Sequence, residues 1–118
     1  MLNVHWYKSK ADTWLKLNSF NLSTCSEDGV YVIWHGGDIP KTVYVGQGAP
    51  VADRLASHRD DARIQKYKSS ELYVTWVEVT TKGQRNSIER YLADSLSPLV
   101  GEVHPDVAPV AVKLPWAA

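Results

Sequence analysis

Gly29-Val30-Tyr31-Val32-Ile33-Trp34-His35-Gly36-Gly37-Asp38-Ile39-Pro40-Lys41-Thr42-Val43-Tyr44-Val45-Gly46-Gln47-Gly48 decides how this chain folds. Two β-prone runs, Val30 to Trp34 and Thr42 to Val45, flank turn formers Gly36, Gly37, Asp38 and Pro40. Such a pattern predicts a β-hairpin with a longer loop. Each run sets a tyrosine beside a glycine, in Gly29-Val30-Tyr31 and Tyr44-Val45-Gly46. A glycine without Cβ lets a bound backbone or phosphate approach, which makes Gly29 and Gly46 candidate contacts. A phenol can donate, accept or release a proton near a cation, and Lys41 puts a cation on the same hairpin. Gly46-Gln47-Gly48 does not open a dinucleotide motif, because position 51 is Val.

Downstream of the hairpin, Gly48-Ala49-Pro50 ends the second strand and Pro50 is placed to be the first residue of a helix. Val51, Leu55, His58 and Ala62 recur at helical spacing and predict one inward face. Arg54 and His58 are four apart and border that face. Arg59, Arg63, Lys66 and Lys68 follow on the other flank. Residues 71–79 alternate with apolar groups on both faces, which predicts a strand covered on both sides. Thr81 with Gln84 fits a capping box, and Ile88, Tyr91, Leu92 and Leu96 make the apolar face of the helix it opens. Glu89 sits at the edge of that face, one turn from Arg85. Ser97-Pro98 ends the helix, and Val110, Val112 and Leu114 are expected to close over the core as an extended segment.

The expected fold class is therefore α/β (α+β): a small, three-stranded, mainly antiparallel sheet flanked by helices. At 118 residues the chain is read as one domain, with a core over about 29–99, an extension over 1–28 and a tail over 100–118. The first 28 residues show no clean period, and their aromatics are assigned to packing. Hydrophobic residues at 44% and charged ones at 22% match an ordinary globular chain rather than a disordered one. No run is long and apolar enough to span a membrane, so no membrane partner is expected. The N-terminus lacks a signal-peptide pattern. A single cysteine, Cys25, excludes an internal disulfide and favours the cytoplasm. One cysteine and four scattered histidines give no zinc-ligand spacing, and His35 and His104 are assigned to the surface. Net charge is zero but uneven. Residues 1–40 hold three Lys/Arg against four Asp/Glu (−1), residues 41–90 nine against six (+3), and residues 91–118 one against three (−2). The positive balance follows the hairpin, where a phosphate-binding face would need it.

The two tyrosine triplets, with Val for Ile in each, resemble the paired motif of the GIY-YIG nucleases. Arg54 on the next helix, His58 one turn later and Glu89 on the helix after the third strand occur in the order of that family. The resemblance implies hydrolysis of DNA phosphodiesters with one Mg²⁺ or Mn²⁺ ion. In that scheme Glu89 binds the metal, Arg54 binds phosphate, Tyr31 is the general base, and Tyr44 and His58 assist. It makes Gly29, Lys41, Gly46 and Arg54 the substrate contacts, with Lys41 a source of the positive charge that a Tyr31 base requires. Without an appended DNA-reading module, sequence specificity is expected to be low, or supplied by a partner protein, a dimer or a branched or damaged substrate. The family's asparagine after the last helix is missing, and Glu102 or a backbone group is its possible substitute. That departure leaves a second expectation, a nucleic-acid-binding module of the same fold without turnover. A third is a partner-binding domain that reuses the fold.

Overall fold

A computed structural model describes residues 1–101 and 103–116. The hairpin forms as β2, Gly29–His35, and β3, Lys41–Gly48, each somewhat longer than the apolar runs that predict it. Their register pairs Gly29 with Gly48, Tyr31 with Gly46 and Ile33 with Tyr44, with an irregularity between Ile33 and Trp34. The covered strand is β4, Leu72–Glu78, antiparallel to β2. A two-residue strand, β1 (Leu15–Lys16), pairs antiparallel with β4, so the sheet has four strands rather than three, in the order β1-β4-β2-β3. A strand this short cannot show period-two alternation, which is why the sequence conceals it.

Among the described residues three α-helices complete the framework: α1 over Val51–His58, α2 over Ala62–Gln65 and α3 over Lys82–Leu96. Pro50 is the N-cap of α1, one residue before the position expected of it. The helix expected to run from Val51 to Ala62 is broken in two. Asp61 accepts a hydrogen bond from Arg63 N at 2.9 Å and caps α2 afresh, an alternative that a short acidic side chain offers the backbone. Ala62 is consequently exposed, and Ile64 takes the buried place. At α3, Thr81 is the N-cap but makes no side-chain cap bond, so the capping box does not form.

The pleat sends alternate residues of each strand to opposite faces, and a core lies on each. Tyr31, Ile33, Leu72, Val74 and Trp76 pack with Val51, Leu55 and Ile64 on the α1 side. Val30, Val32, Trp34, Val45 and Val77 pack with Ile88 and Leu92 of α3 on the other. Val112 is buried on the α3 side with Val110 and Leu114 against it, so the tail closes over the core as expected. Arg59 is not part of an open basic flank: its guanidinium donates to the carbonyls of Leu17 and Phe20, tying the N-terminal segment to α1.

Candidate active site

β3 is an edge strand of the sheet, opposite β1, with α1 against one face and α3 against the other. Leu99 and Val100, just past α3, donate backbone hydrogen bonds to Thr42 O and Val43 O and shield part of that edge. The expected site residues gather around the rest of it.

Tyr31 points to the α1 face, where its hydroxyl lies 2.6 Å from His58 Nε2. The tyrosine has no exposed surface and His58 is only 4% exposed. Burial pushes the Tyr31 phenol well above the ordinary phenol range, Tyr44 adds to the rise, and the Arg54 charge opposes it. Burial also lowers the imidazole of His58 to about 4, with the Arg54 charge acting in the same direction. Near neutral pH both groups are therefore uncharged, and the Tyr31 O–H donates to Nε2 while Nδ1 keeps the ring proton. Tyr44 is half-buried and stacks beside Tyr31, with centroids 6.1 Å apart and planes at 12°. Its ring also lies 4.4 Å from that of His58. Arg54 is exposed and interacts with the hydroxyls of Tyr31 and then Tyr44, which hold its charge more firmly than usual.

Gly46 explains how this cluster fits. A Cβ there would lie 2.5 Å from the Tyr31 hydroxyl and 2.9 Å from Tyr44 Cε1. The space left open at Gly46 is thus filled by the protein's own tyrosines. Gly29 is likewise filled from within, because its Cβ direction meets the Val77 carbonyl oxygen. Lys41 lies at the far end of β3, exposed, and is not among the charges that act on Tyr31; Arg54 is.

Glu89 is 7% exposed on α3, on the other side of the edge strand. It does not pair with Arg85, whose guanidinium instead donates to Val79 O, Thr80 O and Gln47 Oε1. Gln47 Nε2 donates to Asn86 Oδ1 at 2.7 Å and Glu89 Oε1 at 3.1 Å. His104 Nδ1 meets Glu89 Oε2 at 2.9 Å, and since a carboxylate accepts, Nδ1 carries the hydrogen. His104 is therefore packed against Glu89 and only partly exposed, not on the open surface. The expected substitute Glu102 lies outside the described residues. The carboxylate oxygens of Glu89 and the amide oxygen of Asn86 are of the type a hard divalent cation takes, and each already accepts a hydrogen bond from Gln47 or His104. Among the described residues no three His, Cys, Asp or Glu surround a common point, so such an ion would keep most of its waters, as Mg²⁺ does. Glu89 is also near enough to oppose ionisation of Tyr31, which links the two sides of the edge.

Gln47, Asn86 and His104 have no place among the sequence-derived candidates. Asn86 and Glu89 are three apart on one helix face, and Gln47 alternates with Gly46 and Gly48, so those two were readable from spacing. The return of His104 depends on the path of the tail and leaves no local signal.

His58 makes stability depend on pH. Its pKa falls from the ordinary 6.5 in the unfolded chain to about 4 in the fold. Between those values the unfolded state binds more protons, so stability rises with pH from about 4 and levels off above about 6.5. Urea unfolding is expected to lose on the order of 3 kcal/mol through this group between pH 7.5 and 4. His58→Gln should flatten that part of the profile, and an unchanged slope would show that His58 titrates normally.

No protein-family model, curated protein or solved structure matches the chain.

Proposed function

We propose that the chain is a metal-dependent endonuclease that hydrolyses DNA phosphodiesters by GIY-YIG-type chemistry, with low intrinsic sequence specificity. The observation that supports this most is the convergence of Arg54, Tyr44, Tyr31 and His58 on one point of the edge strand, with Glu89 acting electrically on the same tyrosine. In this scheme the exposed guanidinium of Arg54 grips two phosphate oxygens, which its planar fork matches better than an ammonium would. A Mg²⁺ or Mn²⁺ ion on Glu89 supplies charge stabilisation on the phosphate and leaving oxygen.

The base role expected of Tyr31 passes to Tyr44. A phenol with no exposed surface, whose proton burial holds in place, does not meet an attacking water. Tyr44 is half-buried, so a water can reach its hydroxyl, which meets the Arg54 guanidinium. Tyr31 and His58 then act behind it as a neutral hydrogen-bonded pair that fixes the ring of Tyr44 and the helix of Arg54.

A nucleic-acid-binding module without turnover is the second reading. It is favoured by the engagement of both Glu89 oxygens, by Gln47 and His104. Among the described residues no helix is long and apolar enough to cross a membrane. The buried free thiol of Cys25 suits the cytoplasmic location that belongs to this proposal.

The test is nicking of supercoiled plasmid at low salt with Mg²⁺ or Mn²⁺, comparing the native chain with Tyr44→Phe. Removal of that one hydroxyl is expected to slow cleavage by about 10² or more. Salt-sensitive DNA binding without nicking under either metal would replace the nuclease reading with the binding module. Absence of both binding and nicking would remove both.

A further inference from the structure

The start of β3 carries a feature that the tyrosine cluster does not use. Trp14, Trp34 and Trp116, with Pro40, Lys41 and Thr42, line a cavity of about 420 Å³. That volume lies within the range of small-ligand sites. Trp34 forms its centre, with Trp14 at 5.2 Å and 89° and Trp116 at 5.2 Å and 68°. Tyr73 stacks behind Trp34 at 5.8 Å and 23°, which holds the central indole in place. Walls set crosswise in this way let a flat ring stack on one indole while its rim meets the others.

The polar groups around the cavity narrow the choice of guest. The other two tryptophans use their indole N–H groups within the protein: Trp6 donates to Lys113 O and Trp76 to Glu27. Among the described residues, Trp14, Trp34 and Trp116 donate to no protein acceptor. Their N–H groups are thus not used within the described residues. No carboxylate lines the cavity, so nothing there favours a cationic guest, whereas Lys41 stands at its wall. The Lys8 ammonium over the Trp14 ring, at 4.4 Å, is already paired with Asp12 at 3.7 Å, which leaves Lys41 as the cation at the wall. A flat ring rich in acceptors, attached to an anionic group, meets all of these conditions.

We propose that this cavity binds one nucleobase of an unpaired nucleic-acid segment, stacked on indole, with the adjoining phosphate on Lys41. Base–indole stacking tolerates any base, because each has a π-face. The proposal stands apart from the chemistry assigned to Tyr31, Tyr44 and Glu89. The two places are nonetheless on one strand: Lys41 and Tyr44 are separated by about 10 Å of extended β3.

The experiment is titration of the ¹⁵N-labelled chain with dAMP in EDTA, which excludes metal-dependent chemistry. The readout is the five indole N–H resonances, with 2-deoxyribose 5-phosphate as a probe lacking the base. The expected result is saturable shifts of Trp14, Trp34 and Trp116 with dAMP, while Trp6 and Trp76 stay in place. Trp116→Ala, at a position 45% exposed, should weaken binding about tenfold with the Trp6 and Trp76 signals unmoved. Lys41→Ala should weaken dAMP but leave 2′-deoxyadenosine unchanged. Equal shifts with the sugar phosphate, no shifts with dAMP, or an affinity unaffected by Trp116→Ala would each overturn the proposal. So would binding of cyclohexanol to the same three indoles without binding of dAMP, which would identify an apolar guest.

Discussion

Gly29→Ala is expected to destabilise the fold by about 3–5 kcal/mol, the range reserved for substitutions that the structure cannot absorb. The new Cβ would lie 2.1 Å from the Val77 carbonyl oxygen and 3.0 Å from its carbon, both backbone atoms. No rotamer change relieves such a contact. The alternatives are to separate β2 from β4 near the Gly29–Glu78 pair or to shift the register, and a one-residue slip would turn Tyr31 away from His58. Gly83→Ala is the contrasting case. Nothing lies within 4 Å of the Cβ position there, inside α3, so it should stabilise by about 0.5–1 kcal/mol. Urea unfolding of both variants checks the pair. A Gly29→Ala protein as stable as the native chain would contradict the packing described for β2 and β4.

The largest functional effects are expected at Arg54 and Glu89. Arg54 is exposed and its contacts are with the hydroxyls of Tyr31 and Tyr44, so Arg54→Ala should keep the fold while cleavage falls by about 10³ or more, the scale of a lost phosphate clamp. Glu89 is buried, and Ala there would leave His104 Nδ1 without its acceptor and Gln47 Nε2 with Asn86 Oδ1 alone. Some instability is expected from that change alone. Glu89→Gln separates the effects: it retains an oxygen acceptor and the side-chain shape but loses the charge that holds a divalent ion. Folded Glu89→Gln protein that binds DNA but does not cut it is the expected result, read from DNA retention and nicking measured side by side.

Much of the framework was visible in residue pattern. The β2–β3 hairpin follows from its turn residues, β4 from its alternation, and α3 from its apolar spacing up to Ser97-Pro98. What escaped has identifiable physical causes. β1 is two residues long, below the length at which any period shows. The break before α2 turns on whether Asp61 caps a new helix or remains within the old one, and spacing alone does not decide that. The burial of Tyr31 is a tertiary effect: its ring crosses β3 at Gly46, and α1 closes over it with His58. The glycine needed for that crossing was read as an opening for a ligand, and the structure fills it with the protein's own ring. His104 reaches Glu89 across 15 positions of sequence, by a tail whose path no local pattern encodes.

The nuclease reading rests on Glu89 more than on any other residue. Cleavage of supercoiled plasmid with Mg²⁺ or Mn²⁺, compared between the native chain and Glu89→Ala, tests it most directly. Nicking by the native chain that disappears in the variant is the predicted result, with DNA binding retained as evidence that the fold survives. Equal nicking by both proteins would contradict the assignment of the metal to Glu89 and, with it, the proposed site.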